Sequence, residues 1–228
     1  MLAKYDNEDN FIFLKIFNNY DGRHLNLNFN SNNDIFVSYI LNGNKLIEVK
    51  KISNSGQLLF TKNLNLKISG LKKFYLEFDK DDNIYISALK ASAHSSHKLF
   101  KLDENLVLLN SVSLSNLYVY SMDVIFDDFI AVFIKGKKEK TGYVNIYDSN
   151  LKFVTKFFPT NSNENYYDSI IVGIQYPHIY VKTVDKTNTG YLKKINIKNN
   201  HTVWENTFPS SHKGQTTLKV DDANNIYL

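Results

Sequence analysis

The sequence contains no cysteine, and its 228 residues include only three prolines and nine glycines. Without cysteine the chain has no disulfide framework and no thiolate chemistry, so its redox compartment is left open. No apolar run approaches the roughly 20 residues that a membrane-spanning helix needs, and we expect no membrane insertion. The N-terminus, MLAKYDNEDN, shows no signal peptide, which fits a cytoplasmic protein or part of a larger secreted or virion assembly.

Aromatic residues are abundant, with 15 Tyr and 16 Phe in a chain that is 43% hydrophobic. Such a composition excludes a disordered chain, and the length is sufficient to bury a substantial core. The net charge of +4 is modest. Overall charge therefore gives no support to a nucleic-acid partner.

A repeat of about 47 residues runs through the chain. Three segments share an apolar residue, a polar turn, and then isoleucine, an aromatic residue and an aliphatic residue: 29–37, 78–86 and 220–228. Segments 126–132 and 175–181 follow the pattern more loosely. The isoleucines are spaced, by subtraction, 49, 46, 49 and 47 residues apart: Ile35, Ile84, Ile130, Ile179 and Ile226.

A strand–turn–strand motif repeats in step with the first, and its anchors are Tyr5, Ile52, Leu102, Tyr147 and Ile197. Alternating apolar residues in the strands and Asn, Asp and Ser in the turns indicate four strands per unit. A period in the forties with four strands per unit is typical of an all-β β-propeller. With strands A to D counted from the channel outward, the predicted single domain has blades at 24–66, 74–115, 120–158 and 168–208.

The termini supply the remaining strands, a C–D hairpin at 1–17 and an A–B pair at 215–228. Together they predict a fifth blade with a two-plus-two closure, in which Tyr227 pairs with Lys4 or its neighbours. Closure matters because an open ring exposes strand edges, which favour aggregation. The alternative expectation is a piece of a longer propeller.

The repeat resembles those of bacterial propellers of the SBBP, NHL and PQQ-like groups. The resemblance rests on Asp-x-x-x-Asn-Ile-Tyr-Ile at 79–86 and Lys-Leu-Asp-x-x-x-x-Leu-Leu at 101–109, and Trp204 stands at the tryptophan position of those hairpins. It implies a fold and no particular activity. It implies no quinone, because the tryptophan ring of the quinone-using enzymes is absent, and we expect no cofactor.

Charges segregate between the two ends of the predicted blades. The A–B and C–D turns collect acids, whose simplest role is turn chemistry. The opposite end, called the basic face below, collects lysines and aromatic residues. The ligand-binding candidates on the basic face are Lys72, Lys73, His94, His97, Tyr118, Tyr120, Lys135, Lys137, Lys138, Tyr166 and Tyr167.

The sequence contains only partial matches to metal-binding and catalytic motifs. Asp79, Asp81 and Asn83 have the first oxygens of a calcium loop without its glycine or its later acids, and His94 with His97 lacks further zinc ligands, so we expect no metal site. Glu77 and Asp123 recur at one position of the innermost strand, where propeller glycosidases place acid–base carboxylates. We expect no catalytic residue; these two are the candidates if there is one.

These features favour a non-catalytic binding propeller that recognises an acidic protein surface or a glycan through its basic face. Tyrosine with amides and lysines suits such recognition. One alternative is a propeller glycosidase or lyase. Another is a rigid structural module or a fragment of a larger bacterial surface or phage adhesion protein. The sequence leaves the oligomeric state undetermined.

Overall fold

Antiparallel β-strands form the regular structure of the chain in a computed structural model. The structure describes residues 2–5, 8–15, 23–41, 46–68, 70–90, 97–114, 117–125, 129–136, 142–157, 168–175, 177–184, 189–209, 219–220 and 226–227. Within these ranges no helix is both long enough and apolar enough to cross a bilayer.

The strands follow one another in meanders. A two-stranded hairpin comes first, with β1 (Leu2–Tyr5) and β2 (Phe11–Lys15). Blade 1 contains β3 (Arg23–Phe29), β4 (Ile35–Ile40), β5 (Ile47–Ile52) and β6 (Leu58–Leu64). Blade 2 contains β7 (Leu71–Phe78), β8 (Ile84–Lys90), β9 (His97–Leu102) and β10 (Leu108–Leu114).

The second half of the chain repeats this arrangement. Blade 3 contains β11 (Leu117–Ile125), β12 (Phe129–Gly136), β13 (Gly142–Tyr147) and β14 (Phe153–Phe157). Blade 4 contains β15 (Asp168–Gln175), β16 (His178–Val184), β17 (Thr189–Asn196) and β18 (His201–Pro209). A last pair contains β19 (Lys219–Val220) and β20 (Ile226–Tyr227).

The predicted all-β fold of four-stranded antiparallel sheets is confirmed. In the described residues, β1–β2 and β19–β20 form two separate sheets. The fifth blade and the number of blades in a closed ring therefore stay predictions.

The repeat anchors are register partners between the second and third strands of each blade. Ile35 pairs with Ile52, Ile84 with Leu102, and Ile130 with Tyr147. In blade 4 Ile179 pairs with Ile195, two residues before the motif anchor Ile197. The turn that follows β17 spans residues 197–200 and is one residue shorter than its equivalents in the other blades, so that Ile197 lies in the turn.

The core lies between the blades. The second strand of blade 1 alternates its faces: Ile35 and Val37 face the N-terminal hairpin, whereas Phe36 and Ile40 face blade 2. The ring of Phe36 lies 4.6 Å from that of Phe78 in blade 2. Two further apolar clusters join blade 2 to blade 3 and blade 3 to blade 4. Each blade is thus stabilised mainly by its neighbours, since apolar burial supplies most of the folding free energy.

Lysines on the third strands contribute to the same packing. Each lies over the ring of its register partner on the second strand: Lys51 over Phe36 at 5.5 Å, Lys101 over Tyr85 at 5.5 Å, and Lys194 over Tyr180 at 5.9 Å. Such cation–π contacts contribute roughly 0.5–1 kcal/mol at exposed sites. The lysine that precedes the buried residue at the end of the third strand therefore has a role within the blade.

The N-terminal hairpin covers one face of blade 1. Leu2 and Phe13 pack against the cluster of Ile35, Val37, Tyr39 and Ile52. At Gly56 the backbone has a φ of +90° and approaches Phe13 so closely that a Cβ would lie 2.7 Å from the ring. The Lys4 ammonium donates to the Asn54 carbonyl oxygen at 2.9 Å.

Deletion of residues 1–17 should therefore unfold or oligomerise the protein, because it uncovers four buried side chains of blade 1. Circular dichroism and size-exclusion chromatography measure the effect. The substitution Phe11→Ser, at an exposed position of the same hairpin, is the control and should leave melting nearly unchanged. A monomeric deletion variant with wild-type melting would show that the hairpin does not stabilise blade 1.

Candidate functional site

The A–B and C–D turns form a continuous surface, called the turn face below. Hydrogen bonds join these turns from blade to blade. The Lys62 ammonium of blade 1 donates to the Asn105 carbonyl oxygen of blade 2 at 2.6 Å. The Asn110 amide of blade 2 donates to the Asn150 carbonyl oxygen of blade 3 at 2.6 Å. The turns of successive blades therefore lie at the same end of the structure.

The acids of the turn face hold their own turns. The Asp103 carboxylate accepts from the Asn105 and Val107 backbone N–H groups at 2.9 and 2.8 Å, and Asp148 makes the equivalent pair of bonds. Leu106 and Leu151 have positive φ in these turns, where Gly56 stands in blade 1. A leucine in this conformation is strained, and both side chains are buried, which offsets the cost. The turn-chemistry role predicted for these acids is confirmed.

The Asp79 carboxylate shows most clearly how these acids hold their turns. One carboxylate oxygen accepts from the Asp81 and Asn83 backbone N–H groups, and the other accepts from the Asn83 amide at 2.8 Å and the Tyr85 hydroxyl at 3.1 Å. The residues that resemble a calcium loop thus form an Asx-type turn. Among the described residues, no group of three His, Asp or Glu side chains is arranged to hold a metal ion.

Asp82 joins two blades, a role that the sequence did not indicate. Its buried carboxylate accepts from both the backbone N–H and the hydroxyl of Ser31 at 2.8 Å, across the boundary between blades 1 and 2. Its φ is +61°, a conformation that Asp and Asn tolerate better than most residues. Asp82 therefore fixes both its own turn and the neighbouring blade.

Asp82→Ala should lower the free energy of unfolding by roughly 2–3 kcal/mol, because hydrogen bonds to a charged group are lost and alanine is strained at positive φ. Asp82→Asn keeps an acceptor oxygen and should cost less. Asp81→Ala, at an exposed neighbouring position, is the matched control. Urea denaturation measures all three; equal losses for Asp81→Ala and Asp82→Ala would contradict the role of Asp82.

The basic face lies at the other end of the same strands. β7 begins at Leu71, which pairs with Lys90 at the end of β8, and β11 begins at Leu117, which pairs with Gly136 at the end of β12. From Lys72 in β7 to Asp79 in the turn after it, the chain extends over roughly 23 Å, at about 3.3 Å per residue. Lysines and turn acids are thus separated by the length of a blade.

Only part of the predicted binding set falls in the described residues. Lys72 is exposed at the start of β7, and the ammonium of Lys73 lies 4.6 Å from the centroid of the Tyr75 ring. The backbones of Tyr118 and Tyr120 belong to β11 and that of Lys135 to β12; their side chains are not described. The remaining candidates lie outside the described residues: His94, Lys137, Lys138, Tyr166 and Tyr167.

His97 lies at the basic-face end but is buried beneath it. The Val119 backbone N–H donates to its Nε2 at 3.4 Å, which joins β9 of blade 2 to β11 of blade 3. Burial lowers the pKa of His97 to about 4 from an ordinary value of 6.5. We therefore leave it out of the binding surface proposed below, because its ring contacts the interior of the protein.

His97 should make stability depend on pH. The folded state holds the neutral ring, whereas the unfolded chain takes up a proton near pH 6.5, so stability is fully present above pH 6.5 and falls progressively toward pH 4. The loss from this group is roughly 3 kcal/mol. Denaturation at several pH values should show a shallower slope for His97→Gln and a wild-type slope for the exposed control His201→Gln. An unchanged slope in His97→Gln would contradict this assignment.

The two carboxylates of the innermost strands occupy equivalent register positions. Glu77 is the partner of Tyr85, and Asp123 is the partner of Ala131, at the same place in blades 2 and 3. The Asn28 side-chain amide of blade 1 donates to Glu77 at 3.1 Å. Asn28, Glu77 and Asp123 thus form one row on successive innermost strands, as their sequence spacing predicted.

No known protein family matches the chain, and neither does any curated protein sequence. Solved structures do match. The Dos1 propeller has a TM-score of 0.55 and 13% identity, over 87% of this chain and 50% of that one. A prolyl endopeptidase structure has a TM-score of 0.55 and 12% identity, over 89% of this chain and 30% of that one. The chain has a β-propeller fold. It spans half or less of the length of these two structures, and identities this low show the fold alone.

Proposed function

We propose that the chain is a non-catalytic binding propeller that recognises an acidic protein surface or an anionic glycan through its basic face. The proposal rests on one difference between the two ends of the blades: carboxylates at the turn face are engaged in hydrogen bonds, whereas a lysine at the basic face is exposed. Turn-face carboxylates such as Asp79, Asp103 and Asp148 accept hydrogen bonds from their own turns. At the other end Lys72 is exposed beside strand ends whose loops are rich in lysine.

Such an arrangement suits an anionic partner. Positive charges grouped at one end, and carboxylates held in their own turns by hydrogen bonds at the other, would produce a field along the strands that accelerates association with an acidic surface. Tyr118 and Tyr120, on the strand that leads away from the basic face, would add contact area. No cofactor is needed for this role.

The biological setting is a further part of the proposal. Membership among the SBBP, NHL and PQQ-like bacterial propellers rests on the repeated Asp-x-x-x-Asn-Ile-Tyr-Ile and Lys-Leu-Asp segments alone. A rigid module in a bacterial surface or phage adhesion system fits that resemblance. In such a setting the wheel would present its basic face to a partner.

A glycosidase or lyase is the second candidate, and the row of Asn28, Glu77 and Asp123 favours it. The hydrogen bond from Asn28 to Glu77 also serves to join two blades, which supports the binding function over the catalytic one. A panel of chromogenic glycosides separates the two: hydrolysis that is lost in both Glu77→Gln and Asp123→Asn would establish the enzyme.

The binding proposal is tested with an array of sialylated, sulfated and neutral glycans and with an immobilised polyglutamate peptide. The wild-type protein should bind anionic probes. The triple variant Lys135→Glu, Lys137→Glu, Lys138→Glu should lose about tenfold in affinity at low salt, mostly through the association rate, because many charges act through one field. Physiological salt, with a Debye length of about 8 Å, should reduce the difference.

A charge-matched triple on the turn face is the control: Lys80→Glu, Lys152→Glu, Lys198→Glu. It changes the net charge equally and should bind nearly as well as the wild-type protein. Equal losses in the two triples would show that net charge rather than the basic face is recognised. A wild-type protein that binds none of the anionic probes would contradict the proposal.

A further inference from the structure

One lysine at the basic-face end holds a backbone conformation that its residue type rarely adopts. Lys67 has a φ of +53° and lies, exposed, in the connection between β6 of blade 1 and β7 of blade 2. The left-handed region is costly for a residue with a Cβ, and glycine, asparagine, aspartate and histidine occupy it most readily. A lysine at this position therefore calls for an explanation in packing or in function.

The other described residues with positive φ have an explanation in packing or in residue type. Five of them are of the tolerant types: Asp9, His24, Asn33, Asp82 and Asn200. The remaining two are Leu106 and Leu151, whose side chains are buried between blades. Lys67 belongs to neither group, because lysine is not a tolerant type and its side chain is exposed. Its strain is therefore not offset by burial.

The connection around Lys67 is anchored in the core. Ile68 is buried in the apolar cluster between blades 1 and 2, and Leu66 packs against the same cluster. The Lys67 backbone N–H donates to the Asn65 side-chain oxygen at 3.1 Å. Gly70, with a φ of +67°, then turns the chain into β7. The backbone that carries the Lys67 ammonium is thus held in place by the fold itself.

The charges of Lys67 and Lys72 are not used by the described part of the fold. Several other lysines are: Lys62 donates to a turn carbonyl, the Lys193 ammonium pairs with a carboxylate, and that of Lys73 lies over an aromatic ring. Within the described residues, neither Lys67 nor Lys72 has an ion pair or a hydrogen bond to its ammonium. Both are exposed at the same end of the blades.

The ligand group that suits two such lysines is a carboxylate on an acidic peptide. A lysine ammonium is a compact charge with rotatable donors, so it pairs with a carboxylate without requiring a fixed fork geometry. A sugar would also call for an open aromatic face. In β7, however, the Tyr75 ring already has the Lys73 ammonium over it, 4.6 Å from the ring centroid.

We propose that Lys67 and Lys72 form a preformed site for the carboxylate side chains of an acidic peptide segment, at the junction of blades 1 and 2. This inference rests on the binding function proposed above and gives it a location and a partner class. Strained residues collect at binding sites, where a less stable conformation positions a functional group. A site that is fixed in advance also reduces the entropy lost on binding.

The substitution Lys67→Gly tests the proposal, because it relieves the backbone strain and removes the charge together. Tm should rise by roughly 2–4 °C. Affinity for an immobilised polyglutamate peptide at low salt should fall about threefold, and about tenfold in the double variant Lys67→Gly, Lys72→Gln. Lys67→Arg keeps both the charge and the strained backbone, so it should leave Tm and affinity near their wild-type values.

Lys152→Gly is the matched control, at an exposed lysine of the turn face whose φ is not positive. It removes the same charge but relieves no strain, so Tm should not rise and affinity should stay near the wild-type value. Equal losses of affinity in Lys67→Gly and Lys152→Gly would overturn the proposal. So would a Tm that does not rise in Lys67→Gly, because the strained backbone would then serve the fold.

The triple variant of Lys135, Lys137 and Lys138 separates this site from the binding function as a whole. If that triple loses affinity for polyglutamate while Lys67→Gly binds normally, the site is overturned and the basic-face function stands. A wild-type protein that binds none of the anionic probes overturns both. A loss in Lys67→Gly that is confined to anionic glycans would assign the site to a sugar and overturn the acidic-peptide partner.

Discussion

Both faces of every blade are apolar, so a blade buries its side chains only when it lies between two others. The second strand of blade 1 shows this requirement directly, because Ile35 and Val37 need cover on one side while Phe36 and Ile40 need it on the other. All six residues of that strand are buried, as are all six of β13 in blade 3. Stability is therefore set by contacts between blades.

The same repetition determines how charge is used. Each turn needs a side chain that accepts backbone hydrogen bonds, and Asp103 and Asp148 fill that position in successive blades. Lysines of the third strands lie over aromatic rings, and one buried lysine, Lys193, pairs with Glu205 at 2.7 Å. Many charged residues thus stabilise the turns and blades themselves. In the function that we propose, the charges available to a partner are those at the strand ends and loops of the basic face.

The sequence was informative wherever one blade repeats another. The isoleucine anchors predicted the strand pairing, and the polar spacing predicted the row of Asn28, Glu77 and Asp123. Ile197 marks the repeated motif in the sequence, but β17 ends at Asn196 and the register partner of Ile179 is Ile195. The sequence suggested that His97 was a ligand-binding residue, but in the structure its ring is buried by contact with blade 3. The sequence does not distinguish Asp82 from the other turn acids, because its hydrogen-bond partner Ser31 lies 51 residues away in the chain. Contacts between blades leave little trace in local sequence.

Amide hydrogen exchange on the intact chain tests most directly whether the blades are stabilised by contacts with one another. Phe36→Ala removes a ring that packs between blades 1 and 2, 4.6 Å from Phe78. If contacts between blades set stability, the variant should exchange faster in β7 and β8 of blade 2 as well as in β4 of blade 1. Faster exchange confined to blade 1, with blade 2 protected as in the wild-type protein, would contradict the account.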